Sequence, residues 1–302
     1  MNCIICQSTK NKVLYKIPDL WFGEHKILAT YLQCENCGLI FLDIIDRKLE
    51  NNINSILYHD ENYQYKINWI TRFGLEKRKK LIYRFKKSGK LLDVGCGTGR
   101  FISYFQKTTK GQWEVLGIDP DKVSANFGKE KYRVKILSGK FEEFDLTNEK
   151  FDVITMWDVI EHVEKPELLL KKAFSILQDD GVLIIRTPNF ESFDSNLFKQ
   201  YWAGFDSPRH KYIFSKSLLV KFLENHNFRV LLMTSKIGGY HNFTKSLRFY
   251  LNAKKISPLI KTLIVKSLNL TPVKILGYLL YNFLVTETKG SEITLCARKE
   301  II

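Results

Sequence analysis

The chain has 302 residues, 45% of them apolar and 26% charged, with a formal charge of +15. That length suits one large domain with an appendage or two domains, and the composition excludes a disordered or fibrous chain. No window approaches the roughly 18–20 unbroken apolar residues of a spanning helix, and the opening MNCIICQ lacks the basic-then-apolar pattern of a signal peptide. The expected setting is cytoplasmic, where six cysteines point to metal or catalysis before disulfides.

Residues 1–45 form the first block, anchored by Cys3-Ile-Ile-Cys6 and Cys34-Glu-Asn-Cys37. Two such knuckles are the ligand pattern of a structural zinc ribbon, because four thiolates satisfy a tetrahedral Zn2+ and close it to substrate. Strands are expected between them at 12–17 and 27–32, and Gly38 suits the tight turn after the second pair. Residues 46–89 read as a helical lead-in, basic and helical in period over 67–88. The main domain follows over 90–300. It alternates strands at 90–94, 114–118, 134–137, 151–156 and 181–186 with helices at 100–107, 121–129 and 166–177. Such alternation means a parallel sheet covered on both faces. A strand at 228–234, a basic apolar helical insertion at 236–291 and a last strand at 292–298 complete the chain.

The first strand of that domain runs straight into Asp93-Val-Gly95-Cys96-Gly97-Thr-Gly99, before a helix. Glycines there let the backbone approach a ligand and accept conformations that a side chain forbids. The pattern is GxGxG behind an acid, not the GxGxxG of a dinucleotide fold, and an acid at Asp93 favours a cationic ligand. Twenty residues past Gly99 the second strand ends at Asp119-Pro120, where a carboxylate can take both hydroxyls of a ribose.

This arrangement resembles the class I S-adenosylmethionine-dependent methyltransferases, over roughly residues 67–300. The resemblance implies an α/β, Rossmann-like fold with a seven-stranded, mostly parallel sheet whose last strand runs antiparallel. Here that fold would carry a small N-terminal zinc ribbon and a helical insertion before the last strand. It also implies that S-adenosyl-L-methionine lies along Gly95, Cys96, Gly97 and Gly99, with Asp119 and Pro120 at the ribose and Trp157 beside it. Asp93 would support the loop and the methionine ammonium. The family often has an acid after the third strand, where this chain has Gly139-Lys140-Phe141-Glu142. Lysine cannot accept the adenine amino group, so that role is expected of the Phe141 backbone or Glu142.

The fourth strand ends in Trp157-Asp158-Val-Ile-Glu161-His162-Val, at the sheet edge where open α/β folds bind ligands. Spacing of i, i+3 and i+4 would place Asp158, Glu161 and His162 on one side of a helical turn. Three readings stay open: His162 as a general base oriented by a carboxylate, a divalent metal held by the trio, or a turn held in shape. The pattern is similar to the Glu-x-x-Glu-His of quinone-pathway and small-RNA O-methyltransferases, with the shorter Asp158 as first acid. A second stretch, Trp202-Ala-Gly-Phe-Asp206-Ser-Pro208-Arg209-His210, offers His210 as base or further ligand and Arg209 as a grip on an anionic acceptor.

Between residues 225 and 286 there is no Asp or Glu but nine Lys or Arg, and the helices starting Ser257-Pro258 and Thr271-Pro272 are apolar. Such helices could lie on anionic membrane lipid, roof an acceptor pocket, form a dimer contact or meet nucleic acid. With its knuckles and its polar turn, the chain resembles bacterial zinc-ribbon methyltransferases of sugar, surface-glycan or lipid-linked metabolite pathways. The expected function is O-methylation of a glycan, lipid-linked or quinone-like small molecule, with peripheral contact at an anionic membrane. The alternative is an RNA methyltransferase that uses its zinc module to recognise substrate.

Overall fold

The computed structural model describes residues 2–20, 28–44, 69–237, 239–254 and 256–300. Most of the expected lead-in, 46–68, lies outside them. The elements begin with β1 (Asn11–Pro18), β2 (Leu28–Cys34), β3 (Ile40–Ile44), α1 (Trp69–Tyr83), β4 (Gly89–Val94), α2 (Arg100–Thr109) and β5 (Trp113–Asp119). There follow α3 (Lys122–Phe127), β6 (Ile136–Ser138), β7 (Phe151–Trp157), α4 (Pro166–Ile176), β8 (Leu177–Pro188) and α5 (Phe193–Phe198). The chain continues through β9 (Tyr212–Ile213), α6 (Lys216–Glu224), β10 (Phe228–Thr234), α7 (Tyr240–Ala253), α8 (Pro258–Asn269), α9 (Thr271–Leu284) and β11 (Glu292–Lys299).

Two compact units emerge, one from residues 1–50, 188–219 and 233–293, the other from 51–187, 220–232 and 294–302. The second is framed by a seven-stranded sheet in the order β10-β11-β8-β7-β4-β5-β6. The pairings β4–β5, β4–β7, β5–β6 and β7–β8 are all parallel. Leu91, Leu92, Val94, Val153, Ile154, Met156 and Ile184 are buried, as near-continuous apolar runs must be in a sheet covered on both faces. From β4 the chain moves first toward β6 and then back through β7 to β8. Strand order therefore reverses beside β4, and the carboxyl ends of β4, β5 and β7 flank that reversal. The reversal is where such sheets open a crevice.

The first unit holds a four-stranded antiparallel sheet, β1-β2-β3-β9. β3 and β9 were not foreseen: β3 is a short apolar run and β9 has two residues, both too short to show a period. Ile17, Ala29, Tyr31, Ile40, Phe198, Trp202, Phe205 and Ile213 form one buried cluster in this unit. The hydroxyl of Tyr31 lies 3.2 Å from the carbonyl of Phe205 and 3.0 Å from that of His210. Arg209 does not project as a grip for an anion. Its guanidinium is buried, donating from Nη1 to Asp19 Oδ2 at 2.8 Å and from Nη2 to Asp206 Oδ1 at 2.8 Å. Two carboxylates account for one cation, the usual condition for burying an arginine.

α8 and α9 occur where the Ser-Pro and Thr-Pro signals placed them, each with proline in its first turn. Neither helix has a hydroxyl cap. Ser257 is the N-cap of α8 without a side-chain bond, and Thr271 already lies inside α9, whose N-cap is Leu270.

Candidate active site

β4 carries Asp93 between buried Leu92 and Val94 and then hands the chain to three glycines in left-handed conformation, Gly95 (φ 68°), Gly97 (φ 54°) and Gly99 (φ 70°). A side chain at Gly95 would put its Cβ 2.5 Å from Val159 Cγ2, whereas a Cβ at Gly97 would meet nothing within 4 Å. Gly95 is thus glycine because the turn after β7 rests against it, and Gly97 presents bare backbone to open space. The loop is tied to β5: Gly95 N and Cys96 N donate to Ile118 O at 2.8 and 3.1 Å, and Gly97 N donates to Asp119 Oδ2 at 2.6 Å. The other oxygen of Asp119 accepts from Asp121 N at 2.9 Å. Burial pushes the Asp119 carboxyl above its ordinary value, against those two backbone donors.

Asp93 is 2% exposed and accepts from Thr155 Oγ1 at 2.5 Å. Burial pushes its pKa up to about 7, with the charge of Arg78 pulling the other way. Arg78, on α1, lies 4.6 Å over the Trp157 ring and 5.8 Å over Phe101. Among the described residues the buried Trp157 Nε1 has no hydrogen-bond partner. Cys96 turns toward β5, where a Cβ on Gly117 would come within 2.6 Å of its sulfur. Pro120 is exposed. Phe141 is buried and its carbonyl accepts from Lys172 Nζ at 2.6 Å, while Glu142 stands exposed on the same short turn.

The turn that follows β7 is not helical. Asp158 is left-handed (φ 60°), and His162 N donates to Val159 O at 2.9 Å to close the turn. Asp158 accepts from Arg186 Nε at 3.0 Å and, with its other oxygen, from Arg186 Nη2. Glu161 is fully buried, with Oε2 accepting from Thr187 Oγ1 at 2.9 Å and Oε1 without a hydrogen bond among the described residues. Burial, then the nearby Asp158, drives the Glu161 carboxyl well above its ordinary range. His162 is half-buried. His210 belongs to the first unit, buried there with Nδ1 2.8 Å from the carbonyl of Gly204.

Asp93, Asp119 and the 158–162 turn thus come from the ends of three neighbouring strands. Arg78, Thr155, Arg186 and Thr187 were missed by sequence reasoning. Arg78 is one of several cations along a helix, and Arg186 stands level with Trp157 only once β7 and β8 are paired.

A model of a methyltransferase domain matches residues 59–232, more than half of the 302. The chain belongs to the methyltransferase-domain family. Its likeness includes the ubiquinone/menaquinone biosynthesis C-methyltransferase UbiE of Campylobacter jejuni subsp. jejuni serotype O:23/36 (strain 81-176), 30% identical over 132 residues, 40% of this chain and 56% of that protein. It includes the ubiquinone biosynthesis O-methyltransferase of Rhodopseudomonas palustris (strain TIE-1), 26% identical over 157 residues, 50% of this chain and 60% of that one. The alignments span little more than half the length of these relatives. Coclaurine N-methyltransferase, solved with N-methylheliamine and SAH, shares the fold at TM-score 0.50 and 18% identity, over 76% of this chain and 72% of that one.

This methyltransferase-family chain also carries its four expected cysteines together. Cys3 Sγ lies 3.4 Å from Cys37 Sγ and Cys6 Sγ lies 3.5 Å from Cys34 Sγ, with all four sulfurs within 4.8 Å of one another. The two knuckles match. Gln7 N donates to Cys3 O and Gly38 N to Cys34 O, both at 2.9 Å, and both closing residues are left-handed.

The two glycines should separate in stability measurements. Gly95→Ala carries a steric clash as well as a left-handed backbone and is expected to cost about 3 kcal/mol. Gly97→Ala carries the backbone cost alone, about 1 kcal/mol. Urea unfolding curves check the difference.

Asp93 also sets a pH dependence. Its unfolded pKa is about 3.9 and its folded value about 7, so the folded state keeps a proton that the unfolded chain has released. Its contribution to stability therefore falls as pH rises through that window. Asp93→Asn should match the wild type near pH 4 and exceed it near pH 8 by on the order of 4 kcal/mol, in urea midpoints measured across pH.

Proposed function

We propose that the chain transfers the methyl group of S-adenosylmethionine to a hydroxyl of a small quinone-like, sugar or lipid-linked acceptor. The observation that carries the reading is the meeting of bare Gly97, the Asp119 carboxylate and the 158–162 turn where strand order reverses. S-adenosylmethionine supplies an electrophilic methyl on a sulfonium centre, together with a ribose, an adenine and a zwitterionic amino-acid end.

The residues present fit those parts. Asp119 spends one lone pair of each oxygen on a backbone N–H and keeps others for ribose hydroxyls. Asp93 and Arg78 offer opposite charges to the amino-acid end. Trp157, Pro120 and Cys96 form walls, and Glu142 or the Phe141 backbone meets the adenine. His162 takes the proton of the acceptor hydroxyl as it attacks. Glu161, kept neutral by burial and braced by Thr187, holds the turn behind it. Asp158 is occupied at both oxygens by Arg186, which favours proton transfer over a divalent metal as the work of this turn. The acceptor class draws support from relatives whose names place them in quinone biosynthesis.

The four cysteines hold a Zn2+ in this proposal. Zinc–sulfur bonds of about 2.3 Å in a tetrahedron put the sulfurs about 3.8 Å apart, close to the spacing found. One zinc per chain is expected by elemental analysis, and stripping it with a strong chelator should lower the melting temperature. Protein purified without chelator that contains no zinc contradicts the assignment.

Calorimetry with S-adenosylhomocysteine, paired with transfer of labelled methyl to fractionated lysate, tests the chemistry. Asp119→Ala should weaken binding at least about ten-fold. His162→Gln should keep binding while turnover drops about 10²–10⁴-fold. A wild-type chain with no affinity for that compound sinks the reading.

A further inference from the structure

α9 turns two different faces outward and inward. Inward, Tyr281 is buried, and its hydroxyl donates to buried Asp194 at 3.1 Å and accepts from Ser291 N at 2.9 Å. Gly277 gives Tyr240 its room, since a Cβ there would lie 2.2 Å from the Tyr240 hydroxyl. Lys236 Nζ secures the end of the helix at the carbonyls of Asn282 and Val285, 3.0 and 2.8 Å away. The helix is therefore held firmly by one side.

Its other side is bare. Ile275, Leu276, Leu279, Leu280, Phe283 and Leu284 recur at helical spacing and are all exposed, Phe283 at 87%. On α8, Leu259, Ile260 and Leu263 are exposed as well, and Leu270 is exposed where the two helices join. Water-facing surfaces seldom leave so continuous an apolar stripe uncovered. The stripe faces away from the residues that anchor α9, so it does not serve as the lining of an interior pocket.

Charge and length choose the occupant. From residue 225 to 286 there are nine Lys or Arg and no acid, and exposed Lys266 lies on α8 itself. A second copy docked on this face would set cations against cations with nothing to pair them. A negatively charged lipid surface matches both the apolar stripe and the positive charge. Among the described residues no single helix is long and apolar enough to cross a membrane; α8 and α9 together have the length and composition for it only as a pair broken by an 80° bend. At 12 and 14 residues they reach about 18 and 21 Å, short of a hydrocarbon core of about 30 Å.

We infer that α8 and α9 form an in-plane docking surface for an anionic phospholipid bilayer, with Leu279, Leu280 and Phe283 entering the acyl boundary and the lysines on headgroup phosphates. The inference stands apart from the methyl-transfer chemistry, because vesicle binding is read without cofactor or acceptor.

The full chain is to be pelleted with vesicles of phosphatidylcholine alone and of phosphatidylcholine mixed with phosphatidylglycerol. Binding to the mixed vesicles should be at least about ten-fold stronger, and added salt should weaken it. Leu279→Glu with Phe283→Glu alters exposed positions only, so its unfolding curve should match the wild type while its vesicle binding falls at least about ten-fold. Lys266→Glu should reduce binding to the mixed vesicles more than to the neutral ones. Failure of the wild type to pellet with either vesicle overturns the inference, as does undiminished binding by the double variant. A dimer in sedimentation velocity that the double variant breaks, with no vesicle binding, assigns the face to a second copy and overturns it too.

Discussion

The candidate site depends on one close approach between two strand ends. Gly95 and Val159 touch so closely that a single added carbon at Gly95 would overlap the valine. Because that contact is made by backbone against side chain, the loop after β4 and the turn after β7 are set in a fixed relation. The bonds from Gly95 and Cys96 to Ile118, and from Gly97 to Asp119, bring the end of β5 into the same frame. Three strand ends thus share one local geometry, and the bare face of Gly97 is left over as the place where a ligand can lie against peptide groups.

Around that frame the chain concentrates carboxyls that water would prefer to keep. Asp93, Asp119 and Glu161 are each at most 5% exposed, and burial raises all three. Each has a named donor, which limits the cost of burial without removing it. The cations are placed at the margins: Arg78 over Trp157, Arg186 on Asp158. In the proposed function, a ligand with positive charge near Asp93 and hydroxyls near Asp119 would offset part of that cost.

The other unit solves a different problem. Its small antiparallel sheet cannot bury much area alone, and it draws Phe198, Trp202 and Phe205 from distant sequence to complete a core. The polar ends of those loops are satisfied internally, by Tyr31 on two carbonyls and by Arg209 on Asp19 and Asp206. The cysteine knuckles lie at the sheet's margin, and α7 to α9 add an apolar, acid-free surface. Cohesion here comes from aromatic packing and one buried ion-pair network.

Much of this was legible in the sequence for definite reasons. The alternation from 90 to 186, the GxGxG behind Asp93 and the acid at Asp119 depend on local periodicity and backbone need, which a chain displays without being folded. So do the knuckles, whose four cysteines are fixed by short spacing, and the two proline-led helices. What only tertiary structure decided were the partners. The sequence places Asp158, Glu161 and His162 together, but the left-handed backbone at 158 sends Asp158 to Arg186 and Glu161 to Thr187, on a strand that becomes adjacent only after folding. Arg209, read as free to grip a ligand, is consumed by an aspartate 190 positions away. Spacing along the chain reports which groups are near in sequence. Which charge finds which counter-charge is set by strand pairing and burial, and those depend on contacts between segments that carry no local mark of one another.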